Sequence, residues 1–295
     1  TDAGITIPNV MISRDFGNVI IAELGSGVNA TMELSGNLLS GSIVPGVQHI
    51  NDIKIRDNGG TSEVYVAVGS NGFYDSNPRS YLGLEEAGLY MSNDEGTSFS
   101  KLALGDAPSG LPLNPSDVEI SVDNTIWVST TANRFFGDGG GLVFSSTDGG
   151  VTFTQSYAIS GTANRTHIAV SGTNAGTIFI LSYRGGGDAS PVFIAKTVNA
   201  FGRVSNMSQP NSIDGNIPDN DFTNTQGWFN YYLEVDPTDD NILYVGGIDI
   251  FRSGNGGASW SQISEAYTGT SNLSGVHPDN HTIVLDPSDP NKAIF

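Results

Sequence analysis

The sequence predicts an all-β fold built from repeated antiparallel units, and three observations carry that expectation. Composition comes first: 38 Gly and 13 Pro punctuate short runs of Val, Ile, Tyr and Phe, the pattern of many strands joined by turns. A short motif then occurs three times, as Ser92-Asn-Asp-Glu-Gly-Thr-Ser-Phe99, Ser146-Thr-Asp-Gly-Gly-Val-Thr-Phe153 and Ser253-Gly-Asn-Gly-Gly-Ala-Ser-Trp260. Its copies start 54 and 107 residues apart, so one degenerate copy is expected between the second and third. Finally, a strand-turn-strand pair recurs six times: Val10–Ser13 with Asn18–Ala22, Ile53–Ile55 with Val64–Val68, Val118–Val122 with Ile126–Val128, His167–Val170 with Ile178–Leu181, Leu233–Val235 with Ile242–Val245, and Ile283–Leu285 with Ala293–Phe295. A period of this length marks a repeat architecture.

The motif, called the box below, reads as a tight turn after an apolar strand (Gly88–Met91, Gly141–Ser145 and Ile248–Phe251). Ser92, Asp94, Ser146, Asp148, Ser253 and Asn255 are expected to bond backbone groups of their own turns. Gly96, Gly150 and Gly257 permit positive φ there. Phe99, Phe153 and Trp260 are expected to fold beneath as small apolar plugs. After Val192-Phe-Ile194 the chain reads Ala195-Lys-Thr-Val-Asn199, with neither Asp nor Gly, and after Thr31-Met-Glu-Leu34 it reads Ser35-Gly-Asn37. Both units are expected to keep their strands and lack the box.

Box and upstream pair together resemble the Asp-box (BNR) repeat of sialidases, sortilin-type receptors and the tandem propellers of xyloglucan-cleaving glycosidases. More narrowly, Gln226-Gly-Trp-Phe-Asn230 and His277-Pro-Asp-Asn-His281 resemble large secreted propellers of Bacteroidetes-type bacteria, in which such domains precede a type IX secretion sorting domain. The resemblance implies a β-propeller of four-stranded antiparallel blades around a central channel. Its blades fall at 1–46 (degenerate), 47–105, 106–160, 161–205 (box degenerate), 228–270 and 271–295, with a long crossing over 206–227. The last is cut short within its second strand, so the chain is expected to be a fragment of a larger propeller.

Twelve Lys and Arg against 31 Asp and Glu give a net charge of −19. So acidic a surface repels phosphate backbones and anionic membranes, which argues against nucleic acid as a partner. No apolar run is long enough to insert in a bilayer. There are no cysteines, which excludes disulfides, thiolate zinc sites and thiol catalysis. The chain opens at Thr1 with neither Met nor an apolar leader, as expected of a processed protein that is secreted or displayed on the outer surface of a Gram-negative cell.

Loop lengths place the candidate site. The loops between second and third strands swell at 69–87, 130–140 and 182–190, and together with the 203–226 crossing they fall on the face opposite the boxes. Long loops in a compact domain are commonly functional. These hold Tyr74, Arg79 and Tyr81, then Arg134, Phe135 and Phe136, then Tyr183 and Arg184, then Trp228. Aromatic faces stack on sugars or peptide and Arg forks onto carboxylates, so these are the ligand-binding candidates; the alternative is that they pin loops to the rim. Arg79, Arg134 and Arg184 resemble the arginine cluster of sialidases. The Arg-Ile-Pro of that family is absent, with Thr6-Ile-Pro8 nearest, and no Tyr–Glu nucleophile pair is assignable, although Tyr74 or Tyr81 with Glu85 or Glu86 stays open.

Asp214, Asn216, Asp219 and Asp221 alternate oxygen ligands about a Gly turn and form a calcium candidate, against a plain solvated turn. The chain requires no cofactor otherwise. His277, Asp279 and His281 could face a metal, but Pro278 forbids a helical arrangement, and a structural role near the channel mouth is the stronger reading. No catalytic constellation is found. The leading expectation is a binding or scaffold module contacting a glycan or protein, including components of a secretion system. The alternatives are a glycoside hydrolase and a sortilin-like peptide-binding propeller.

Overall fold

The computed structural model describes residues 48–70, 86–133, 136–161, 163–185, 187–267, 272–286 and 289–294. They form twenty strands and no helix. Four successive four-stranded antiparallel sheets follow one another along the chain. The first holds β1 (Gln48–Asn58), β2 (Thr61–Ser70), β3 (Gly88–Ser92) and β4 (Ser100–Lys101). The second holds β5 (Asn114–Ile120), β6 (Ile126–Thr131), β7 (Leu142–Ser146) and β8 (Thr154–Ala158). The third holds β9 (Arg165–Val170), β10 (Ile178–Tyr183), β11 (Val192–Thr197) and β12 (Val204–Asn206), and the fourth β13 (Tyr232–Asp236), β14 (Asp239–Gly246), β15 (Ile250–Ser253) and β16 (Ser261–Gln262). A hairpin of β19 (Val284–Asp286) and β20 (Asp289–Ile294) begins a further unit. One pairing departs from the all-antiparallel expectation: β17 (Ser264–Glu265) runs parallel to β18 (Ser274–Gly275), outside the four sheets.

The sheets stack face on face, and the second strands show why. In β10, Ile178 and Ile180 enter the core shared with the second sheet, while Phe179, Leu181 and Tyr183 enter the core shared with the fourth. In β6, Ile126 and Val128 face the first sheet and Trp127 faces the third. A strand buried on both faces needs no polar side, so these strands read as unbroken apolar runs.

Each box closes the turn between third and fourth strands. Ser92 Oγ accepts the Gly96 N–H at 2.9 Å and donates to Asp94 Oδ1 at 2.7 Å, and Asp94 Oδ1 accepts the Ser98 N–H at 2.8 Å. Ser146 with Asp148, and Ser253 with Asn255, repeat this set on Gly150 and Thr152, and on Gly257 and Ser259. Gly96, Gly150 and Gly257 have φ of +83°, +86° and +81°, where a β-carbon is strained.

The third sheet's copy of the box is degenerate in sequence but does not lose the turn: Thr197 Oγ1 accepts the Phe201 N–H at 3.0 Å and Asn199 Oδ1 accepts the Arg203 N–H at 2.8 Å. Thr and Asn supply the same two acceptors as Ser and Asp, while Ala200 and Phe201 take φ of +50° and +69° without a glycine. Phe99 is not the buried plug expected, since it stays 45% exposed. Phe153 and Trp260 do pack inward, against the cores between first and second and between third and fourth sheets.

Candidate functional site

The first strands of all four sheets, with the approach to β19, line one polar cavity of about 320 Å3. Two of these strands are bulged, with Asn51 in β1 and Ser116 in β5 as the extra residues. Each bulge turns the next side chain toward the following sheet. Asp52 Oδ2 then accepts the Val118 N–H at 3.0 Å, and Asp117 Oδ2 accepts the Ile168 N–H at 2.7 Å. The bulged residues add their own clamps, from Asn51 Nδ2 to the Pro115 carbonyl and from Ser116 Oγ to the Thr166 carbonyl. The first strands are thus stitched in sequence by side chains that also face the channel.

Two residues further along each strand lies a second tier. Lys54 Nζ meets Glu119 Oε1 at 2.7 Å. Burial works against the Lys54 charge, but the carboxylates of Glu119, Glu234 and Asp117 outweigh it and hold the ammonium above its ordinary range. Burial raises Glu119 despite Lys54, and burial, then Glu119, push Glu234 up to about 8. Asp117 is raised by burial, Asp52 and Glu119. His167 Nδ1 lies 3.6 Å from Asp117 Oδ2, yet this is no ion pair in the usual sense. Burial, then Arg165, hold the imidazole far below its ordinary range, so His167 is neutral beside a carboxyl that itself resists ionising. Arg165 is fixed from Nη1 to the Phe229 carbonyl at 2.6 Å, with its guanidinium 5.0 Å above the Tyr231 ring.

This cluster was not singled out in the sequence. Its signal was present: a polar residue between two apolar ones in Ile53-Lys-Ile55, Val118-Glu-Ile120 and Leu233-Glu-Val235, in the first strands of three sheets.

Of the loop-face candidates, Tyr74, Arg79, Tyr81, Arg134 and Phe135 lie outside the described residues. Phe136 is 59% exposed. Tyr183 is buried, its hydroxyl donating to the Thr225 carbonyl at 2.9 Å and its ring lying where a β-carbon on Gly227 would sit 2.4 Å away. It anchors the crossing loop and offers no stacking face. Arg184 Nη2 reaches the Ser160 carbonyl at 3.4 Å and its guanidinium lies 5.2 Å from the Phe193 ring centre. Trp228 is 48% exposed and meets Phe229 at 5.5 Å between ring centres. Phe229 in turn meets His281 edge-on at 4.5 Å, and His281 lines the channel cavity. An aromatic run therefore leads from the surface to the polar channel.

A tyrosine–glutamate contact exists elsewhere, from Tyr65 OH to Glu63 Oε2 at 2.8 Å. Tyr65 is fully buried, and burial, then Glu63, raise its phenol, the opposite of what an activated nucleophile needs.

The four calcium candidates divide. Asp221 commits Oδ1 to Thr223 and Oδ2 to the Thr225 N–H, as a turn cap does. Asn216 donates to Asp214 Oδ1 from both its backbone N–H and its side-chain amide, and Asp219 accepts from Asn211. In the His277–His281 string, His277 points outward and Asn280 does the holding, its amide bonded to the carbonyls of Gly247, Ile248 and His277. Among the described residues, no three Asp, Glu or His side chains gather as a ready-made metal cage.

No protein-family model matches the chain, and no curated protein sequence matches it. Solved structures similar to it include a GH74 enzyme from Niastella koreensis, at 18% identity and a TM-score of 0.48 over 69% of this chain and 29% of that one. YCF48 from Cyanidioschyzon merolae is similar at 16% identity and a TM-score of 0.43, over 77% of this chain and 58% of that one. The alpha-L-arabinofuranosidase Arb93A of Fusarium graminearum is similar at 14% and 0.43, over 78% and 65%. The chain thus spans less than a third of the first of these and under two thirds of the others. At such scores the likeness is loose, and it is the sheets themselves, face to face with their first strands around one channel, that make this chain a β-propeller.

Proposed function

We propose that the chain is a binding module of a secreted or cell-surface protein, taking a glycan at the loop-side mouth of its channel. The observation that carries the reading is the run Trp228–Phe229–His281. A half-exposed indole at the rim offers a stacking face, and the polar cavity below offers donors and acceptors for hydroxyl groups. The box turns support an Asp-box assignment and act as scaffold, since their side chains are spent on their own backbone. A protein, including a component of a secretion system, is the other partner such a mouth would suit.

Trp228→Ala should weaken glycan binding about tenfold or more, ~1–3 kcal/mol, with thermal stability unchanged. A glycan array followed by titration of the best hit measures this. Binding by the variant equal to that of the parent chain removes the mouth as the site.

A glycoside hydrolase is the second reading, favoured by one observation. Glu119 and Glu234, on separate strands of the channel wall, are both raised by burial, but only Glu119 is paired with Lys54, while Glu234 is pushed up to about 8. Two carboxyl groups, one of them kept protonated, are what most glycoside hydrolysis uses. Turnover of fluorogenic glycosides that is lost in Glu234→Gln would establish this reading over the first.

A further inference from the structure

The crossing loop and the short connection between β14 and β15 bring two buried carboxylates together. Asp214 is 2% exposed, and its Oδ1 takes both donors of Asn216, but its Oδ2 is buried with no partner. Asp249 is 1% exposed and accepts the Ala266 N–H at 2.8 Å on Oδ1 and the Ser212 hydroxyl at 3.1 Å on Oδ2. The same Ser212 oxygen accepts the Asp214 backbone N–H at 3.1 Å, so one hydroxyl links the Asp249 carboxylate to the Asp214 main chain. Burial raises Asp249, and the negative charges of Asp214 and Glu265 add to it. No ion pair among the described residues involves Asp214 or Asp249. Carboxylates removed from water in this way are costly unless paired, protonated or bound to a metal.

We infer that Asp214 and Asp249 bind a calcium ion, with Asp214 Oδ2 as a direct ligand. Calcium suits this place because it takes six to eight oxygens and accepts neutral ones, so two carboxylates can be completed by hydroxyl, carbonyl and water oxygens. Zinc and copper prefer imidazole or thiolate, and the chain has no cysteine. The acids contributing differ from the Asp214–Asp221 string read in the sequence: Asp221 is occupied, and Asp249 comes from a different part of the chain. The ion would pin the crossing loop, which leads directly to Trp228, onto the fourth sheet.

The test is thermal unfolding of the full chain, first stripped with chelator and then titrated with calcium. A saturable rise in melting temperature at up to millimolar calcium is expected. Asp214→Asn keeps the Oδ1 acceptor for Asn216 and should weaken the calcium response about tenfold or more. Asp221→Asn should lower the melting temperature while leaving the calcium response intact. An absent response in the parent chain overturns the inference, as does an equal response in Asp214→Asn. A response to acid with none to calcium overturns it as well. Should Asp214→Asn not fold, calorimetric titration of the parent chain decides: one saturable calcium site supports the inference, and only weak unsaturable uptake defeats it. None of these readouts depends on a glycan, so this inference and the proposed function can fail separately.

Discussion

At the scale of single residues, the turns show how little of a motif is chemically required. What the chain must supply is one hydroxyl that accepts a backbone N–H four residues on, and one carbonyl or carboxyl oxygen that accepts another. Ser with Asp, Ser with Asn and Thr with Asn all do so. The third sheet's copy reads as degenerate in the sequence because the expected Asp and Gly are missing, yet Thr197 and Asn199 keep this bonding. Its cost is visible in the backbone, where Ala200 sits at φ +50° and Phe201 at +69°. Phe201 is held there by stacking on Tyr157 at 5.1 Å and contact with Trp127 at 5.6 Å. Ala200 has no such anchor, and a left-handed non-glycine residue costs ~1 kcal/mol. Ala200→Gly should therefore stabilise the protein by about 0.5–1 kcal/mol, measured by chemical denaturation, and a loss of stability would show that the φ strain is not the dominant cost there.

At the scale of elements, the second strand of each sheet is the one the others depend on. Because alternate side chains of β10 serve two cores, truncating one of them opens a hole against the neighbouring sheet. Phe179→Ala should cost about 3–5 kcal/mol, the range for a buried aromatic, and equilibrium unfolding checks it. The same geometry explains Tyr183. In sequence it borders a long loop and reads as a rim residue. It is in fact the last position of a strand buried on both sides, and its ring is spent on holding the crossing loop at Gly227. Trp228, one residue past that contact, stays at the surface. Adjacent letters at a loop edge do not reveal which side chain the loop folds over.

At the scale of the whole molecule, the channel sets the dependence on pH. Glu234 titrates near 8 in the folded chain, well above an unfolded glutamate, so the folded state binds this proton more tightly. Its contribution to stability is complete below the unfolded value of ~4.3 and is lost as the pH rises through about 8. Asp94 and Asp148 act in the opposite direction, since hydrogen bonds from Ser98 and Thr152 hold them down to about 2 and their contribution disappears only in acid. Stability should thus be greatest in mildly acidic solution. Glu234→Gln should flatten the decline in melting temperature between roughly pH 5 and pH 8 and leave the acid limb unchanged. A variant whose profile matches the parent chain would mean that Glu234 does not carry the raised proton.

The first strand pair, 10–22, lies outside the described residues; within them, the strands of the four sheets, the box turns and the repeat were legible in the sequence. These depend on interactions within a few residues, on alternation along a strand and on the turn chemistry of Ser, Asp and Gly. The tertiary structure alone decided the site. Asp52, Asp117 and Glu234 come from three separate strands and meet only when the sheets are arranged around one axis, as Asp214 meets Asp249 only when the crossing loop folds back. Nothing in the local chemistry of an Asp or a Glu records which distant carboxylate it will face, and burial together with that neighbour sets its charge.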